Sequence, residues 1–249
     1  MQALQPTRSD VMPPDTGFVI TCEHGGNDIP PAYGELFKPH QALLETHRGH
    51  DPGALLMARD LATAFDAPLL YATVSRLLVD LNRSPGNPAL FFEATRHAPR
   101  EEILQAHYLP YRTEVERVMR AAVVKHARVL HISSHSFTPE LDGELRNADI
   151  GLLYDPRRPG EAALCARWQA ALKRCAPALR VRRNYPYQGK GDGFASWFRT
   201  QLAPDVYIGI ELEINQKHVF AGGAPWIALR QHLVSSLREA LDSGPSSTV

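Results

Sequence analysis

Short apolar runs alternate with amphipathic stretches along most of the chain. Three runs are continuous: Phe18-Val19-Ile20-Thr21-Cys22, Val129-Leu130-His131-Ile132 and Val206-Tyr207-Ile208-Gly209-Ile210. Continuous runs of this length, with β-branched residues, read as strands covered on both faces. Each stops abruptly at polar residues: Glu23-His24-Gly25-Gly26, Ser133-Ser134-His135-Ser136, and Glu211-Leu212-Glu213. Asp149–Tyr154 and Leu179–Arg182 read as further strands, and Pro68–Thr73 and Arg76–Leu81 as two short strands or one bent one. Helical periodicity covers Pro52–Phe65, Glu101–His126, Glu161–Cys175, Phe194–Leu202 and Ala224–Leu241. Pro110 is expected to kink or divide the second of these. Glu23–Tyr33, Asn82–Pro88 and Asn184–Gly193 carry the Gly, Pro and Asn of loops.

This alternation predicts an α/β sandwich with helices on both faces of a sheet. A single catalytic domain over 17–241 is expected, after a flexible lead-in (1–16) and before a flexible tail (242–249). If the three strands are neighbours, their ends gather two histidines and a carboxylate. Open α/β sheets bind ligands at such ends, and two His with a carboxylate is a usual ligand set for hydrolytic zinc.

Composition narrows the function more than the fold. Lys and Arg balance Asp and Glu at 27 each, so nothing favours nucleic acid or an anionic membrane as partner. The eleven histidines are a mild excess that makes a metal site worth seeking. Three cysteines without a CxxC element suggest a reducing compartment rather than a disulfide framework. With no signal-peptide pattern and no membrane-length apolar stretch, a cytoplasmic location is expected.

Among the chemical candidates, His24 lies in a glycine-bearing loop where backbone can approach a ligand, or it merely hydrogen-bonds that loop. His135 interrupts a buried strand, where an unpartnered polar group is costly; a structural polar cluster is the alternative. Glu211 emerges from the sheet with no intervening turn and suits a general base. Glu213, two residues on and facing the same way, is its rival, and a structural salt bridge is the other reading of either. Asn82 and Arg83 form a donor pair suited to a carboxylate. Asp51 reads most simply as a helix N-cap. Cys22 beside His24 reads as a buried apolar residue, not a nucleophile. Gly189–Gly193 matches no phosphate loop and looks like a flap over a site, with Tyr185 and Tyr187 as walls or donors.

Glu23-His24-Gly25-Gly26 with Ile29-Pro30, then Asp51, Ser75-Arg76 with Val79-Asp80-Leu81-Asn82-Arg83, Ser134-His135-Ser136 and Glu211-Leu212 together resemble the N-formylglutamate amidohydrolase (deformylase) family, across Gly17 to Gln216. That family is similar to the zinc carboxypeptidases. The resemblance implies a zinc-carboxypeptidase-like (phosphorylase/hydrolase-like) three-layer sandwich with a central mixed, mostly parallel sheet. It implies one Zn2+ per chain, with His24 and His135 as ligands. Asp51 replaces the carboxypeptidase glutamate, whose position here is Asn27, and this reverses its assignment as a mere cap. Glu211 is implied as the catalytic carboxylate and Asn82 and Arg83 as a substrate clamp, and Asn184 matches a glycine-containing loop of the family and is taken as substrate-binding; apart from the resemblance, Ser136 is expected to donate to the oxyanion. The expected reaction is hydrolysis of N-formyl-L-glutamate to formate and L-glutamate. A carboxypeptidase, a deacylase of larger acyl groups and a non-catalytic binder of small carboxylates are the alternatives.

Overall fold

The computed structural model describes residues 15–243. Its core is a six-stranded sheet in the order β2-β1-β3-β8-β6-β7. The strands are β1 (Thr16–Cys22), β2 (Leu69–Tyr71), β3 (Arg128–Phe137), β6 (Ile150–Leu153), β7 (Val181–Arg183) and β8 (Tyr207–Asn215). A separate hairpin pairs β4 (Glu140–Leu141) with β5 (Glu144–Leu145) across Asp142-Gly143, both with positive φ. β2, β1, β3 and β8 run parallel, and β6 joins β8 antiparallel with β7 parallel beside it. The sheet is thus mixed and mostly parallel, as expected.

β3 sits at the centre because all ten of its residues can be covered. Its even-numbered residues Leu130 and Ile132 join Ile20, Ile210 and Leu212 under the helices Ala54–Ala64, Pro159–Cys175 and Gly223–Asp242. Its odd-numbered Val129 joins Val19 and Tyr207 under Leu109–Lys125 and Phe194–Gln201. That period-two division carries on to the polar end of the strand, so Ser133 and His135 share the second face. Register aligns Thr21 with Ser133, Ser133 with Glu211, and His135 with Glu213.

Several expectations need correction. Arg76–Leu81 is not a strand. Leu77, Leu78, Val79 and Leu81 are buried in turns, packed with Tyr33, Phe37, Leu90 and Tyr108 in a third apolar cluster. Their backbone is satisfied locally, by Leu78 N to Ser75 O (2.9 Å) and Asp80 N to Leu90 O (2.9 Å), so no ladder is needed. The first long helix starts at Ala54, not Pro52. Gly53 takes φ +80° ahead of it, and a Cβ there would come within 2.6 Å of Val219. Asp51 therefore does not cap the helix with its side chain. Pro110 does not divide its helix: a π turn at Leu104–Tyr108 lies just ahead of this residue that has no N–H to donate. Helical turns between Pro31 and Leu44 fill a stretch where no element was expected. The lead-in and tail lie mostly outside the described residues, although Thr16 already belongs to β1 and Asp242 still closes the last helix. Among the described residues no helix is long and apolar enough to cross a membrane.

Candidate metal centre and substrate cavity

Because β1 and β3 are adjacent, the loop after β1 carries His24 over the end of β3. The two imidazole rings lie 5.0 Å apart between centroids. Asp51 comes from the turn ahead of the Ala54–Ala64 helix, and its backbone N–H donates to His24 O at 2.9 Å. Its Oδ2 meets His135 Nδ1 at 2.8 Å and His24 Nδ1 at 3.3 Å. All three side chains are buried, with ligand-capable atoms within 4.8 Å of one another.

The far nitrogen of each ring is also engaged. His24 Nε2 meets Asp80 Oδ1 at 2.7 Å. His135 Nε2 meets Ser133 Oγ at 2.8 Å and Glu23 Oε2 at 3.2 Å. An imidazole that gives its Nε2 proton to a carboxylate keeps its Nδ1 lone pair for a cation. Both Nδ1 atoms converge on one carboxylate oxygen, so the donor set fits a divalent cation of the zinc type. The fit comes from chemistry and convergence together: two imidazoles, one carboxylate, and an orienting carboxylate behind each ring.

Charge balance holds the buried acids ionised. Burial opposes ionisation of Glu23, but His135 and the Ser133 hydroxyl outweigh it and keep its carboxyl below the usual range. Asp51 is lowered in the same way by His24 and His135. Asp80 is lowered by Arg76 and His24, with Arg76 Nη2 donating to it at 2.7 Å. Burial would deprotonate His135, yet Asp51 and Glu23 raise its pKa well above normal. In contrast, burial dominates at the end of β8. Glu211 is raised, and Glu213 is pushed up to about 8. Glu213 Oε2 accepts no hydrogen bond from the described residues.

These groups border a cavity of about 360 Å³, also lined by His47, Arg76, Asn82, Arg83, Tyr187 and Gly193. Asn82 Nδ2 lies 3.4 Å from His135 Nε2, while its Oδ1 accepts from Phe194 N at 2.6 Å. Arg83 Nη1 donates to Asp192 O at 2.5 Å, and its Nε has no hydrogen-bond partner among the described residues. A Cβ added to Gly193 would lie 3.3 Å from both Asn82 Oδ1 and Glu211 Oε1, so both side chains border that glycine.

Seven of the eight expected site residues thus line one cavity: His24, Asp51, Asn82, Arg83, His135, Ser136 and Glu211. Ser136 is there without a free hydroxyl, because its Oγ donates to Pro52 O (2.8 Å) on the other side of β3 and meets Gln216 Nε2 at 3.1 Å. Asn184 is not among the lining residues. Its Oδ1 accepts from Tyr154 N and Gly189 N at 3.0 and 3.1 Å, so it shapes the loop from behind. Sequence reasoning missed Glu23, Arg76 and Asp80. The four-residue spacing of Arg76 and Asp80, and an acid placed between Val79 and Leu81, were the available signals.

A family model described as N-formylglutamate amidohydrolase matches residues 16–219. The chain is similar to the crystal structure of gene product Atu2144 from Agrobacterium tumefaciens, with 30% identity, a TM-score of 0.75 and coverage of 90% of each chain. It has the fold of an N-formylglutamate amidohydrolase from Ralstonia eutropha JMP134, with 17% identity, a TM-score of 0.64 and coverage of 92% of this chain and 95% of the other. No functionally curated protein matches the sequence significantly. With most of its length matched, from the first strand past the last, the chain belongs to the N-formylglutamate amidohydrolase family.

Proposed function

We infer that the protein is a zinc-dependent hydrolase that cleaves the amide of an N-acyl amino acid, N-formyl-L-glutamate foremost, giving formate and L-glutamate. The observation that carries this reading is the pair of carboxylate-backed imidazoles whose Nδ1 atoms meet at Asp51 beside a cavity bearing Arg83. His24, Asp51 and His135 would hold the ion, which supplies Lewis acidity at the reacting carbonyl.

The protein's own groups do the rest. Arg83 and Asn82 bind the substrate carboxylate and orient the amide toward the ion site. Glu211, desolvated and lining the same cavity, takes a proton from the attacking water and delivers it to the departing amine nitrogen as the C–N bond breaks. Its raised pKa suits it to carry that proton. Ser136 can offer only its backbone N–H, already directed at Asp51 Oδ2 at 3.4 Å, so its hydroxyl does not serve the oxyanion, whose charge a bound cation would help to offset.

A second reading of the proton carrier is favoured by one observation. Glu213 stands in register with His135 and has an oxygen with no hydrogen-bond partner among the described residues. Glu211→Gln and Glu213→Gln, assayed separately, decide between them. Glu211→Gln should lower kcat at least 10³-fold with zinc content unchanged, and a fully active Glu211→Gln enzyme would sink the assignment. A panel of N-formyl, N-acetyl and dipeptide substrates separates the deformylase from a deacylase or carboxypeptidase. Protein that takes up no zinc and hydrolyses none of them is a binder.

A further inference from the structure

The segment from Asn184 to Gly193 supplies a wall of the cavity through Tyr187, Gln188, Gly191, Asp192 and Gly193. It has no regular structure, yet it is tied down at both ends. At the near end, Gly189 N donates to Asn184 Oδ1 and Gly189 O accepts from Arg199 Nη1 at 2.5 Å. Arg199 is itself locked to the fully buried Glu161 at 3.0 Å. At the far end, one residue makes all the side-chain ties. The Asp192 carboxylate accepts from Ser84 N (3.1 Å), Ser84 Oγ (2.6 Å) and Asn87 Nδ2 (2.5 Å). Those donors belong to the loop that begins at Asn82-Arg83. The carbonyl of the same residue accepts from Arg83 Nη1.

Asp192 therefore joins the two loops twice, by its side chain and by its backbone. Arg83 has few other restraints. Its Nε pairs ionically with Asp80 Oδ2 at 4.0 Å and has no hydrogen-bond partner among the described residues. A guanidinium grips a carboxylate bidentately through a planar fork, so the direction of that plane decides whether both bonds form. The carbonyl of Asp192 is the hydrogen-bond acceptor that fixes it, and the carbonyl stays in place because the carboxylate is held by Ser84 and Asn87.

We propose that Asp192 is a positioning residue for substrate binding, a latch that holds the Gly189–Gly193 strap against the Ser84–Asn87 loop and so sets the orientation of Arg83 toward the substrate carboxylate. The proposal rests on the reading of Arg83 as the carboxylate clamp. It assigns a role to a loop that the reaction itself does not require.

The test compares the zinc-loaded full chain with Asp192→Ala, Asp192→Asn, Arg83→Ala and the Asp192→Ala/Arg83→Ala double variant. Measured are kcat and KM on N-formyl-L-glutamate, the Kd of L-glutamate by calorimetry, and amide hydrogen exchange of residues 188–194. Asp192→Ala should raise KM and Kd ten- to a hundredfold, the range expected when a binding group is misplaced by about an ångström. Its kcat should stay within about threefold of wild type, zinc content should be unchanged, and exchange in the strap should accelerate. Asp192→Asn, which keeps an acceptor for Ser84, should recover most of the loss. In the Arg83→Ala background, Asp192→Ala should change Kd less than twofold, because the latch acts through that guanidinium. Unchanged Kd in Asp192→Ala, or equal losses with and without Arg83, overturns the latch while leaving the clamp standing. Unchanged Kd in Arg83→Ala overturns the clamp, and the latch with it.

Discussion

Asp80→Asn should weaken metal binding although Asp80 is not among the residues that would touch the metal. Asp80 Oδ1 meets His24 Nε2 at 2.7 Å and accepts from Asn82 N at 3.0 Å, while Oδ2 accepts from Arg76 Nη2 at 2.7 Å. An asparagine fills the same space but has one oxygen to share between two sets of donors. Either His24 or Arg76 is then left facing an NH2 group. If His24 loses its acceptor, its ring no longer has a fixed Nε2 proton, and the lone pair at Nδ1 is no longer guaranteed. Loss of such an outer partner costs about 10- to 100-fold in metal affinity, or roughly 1.4–2.7 kcal/mol. If Arg76 loses its acceptor instead, it turns to Asp51, whose Oδ1 is already 3.6 Å from Nη1, and competes with the cation for that carboxylate. Both routes lead the same way. The assay is a zinc titration against a chromophoric chelator, with circular dichroism to confirm the fold and Arg117→Ala, an exposed surface variant, as control. A folded Asp80→Asn protein with zinc affinity within twofold of wild type would refute the argument that these carboxylates orient the ligands.

Other expectations follow from individual residues. His131 is fully buried between Thr21 Oγ1 (2.9 Å) and Tyr207 Oη (2.7 Å), and burial depresses its pKa from 6.5 to about 4. The folded state therefore takes up this proton later than the unfolded state. Relative to His131→Gln, wild-type stability is greatest above pH 6.5 and should fall by about 1.4 kcal/mol per pH unit from 6.5 down to 4, as read from urea unfolding; parallel pH curves would contradict it. Gly189→Ala places a Cβ 2.1 Å from Tyr154 N at the end of β6, so it should lower Tm and loosen the strap, which thermal unfolding and hydrogen exchange both report. Leu78→Ala removes a fully buried side chain from the cluster under the Asn82-Arg83 loop and should cost about 2–5 kcal/mol, with KM rising more than kcat falls.

The parts of this molecule that could be read in the sequence are those where one segment carries its own message. β1, β3 and β8 announce themselves because an apolar run stops at a histidine or a glutamate, and parallel register then places those ends side by side. Asp51 shows the limit of such reading. An Asp before Pro52 looks like a cap, but Gly53, which takes φ +80° and has no Cβ to meet Val219, stands at the helix N-cap instead and leaves the carboxylate for His135. Glu23 and Asp80 were passed over because their importance lies wholly in what comes to them from elsewhere in the chain. Arg76–Leu81 was misread because an apolar run cannot say whether a ladder or a cluster of side chains will cover it.

The alternation of β3 has a mechanical result. On one side of the strand His135 reaches Asp51; on the other, Ser134 Oγ donates to Ala54 O at 2.9 Å and Ser136 Oγ to Pro52 O. One extended segment therefore delivers an imidazole and also bolts down the piece of backbone that presents the acid to it. The gap between these two groups is thus set by a single pleat rather than by the drift of a loop.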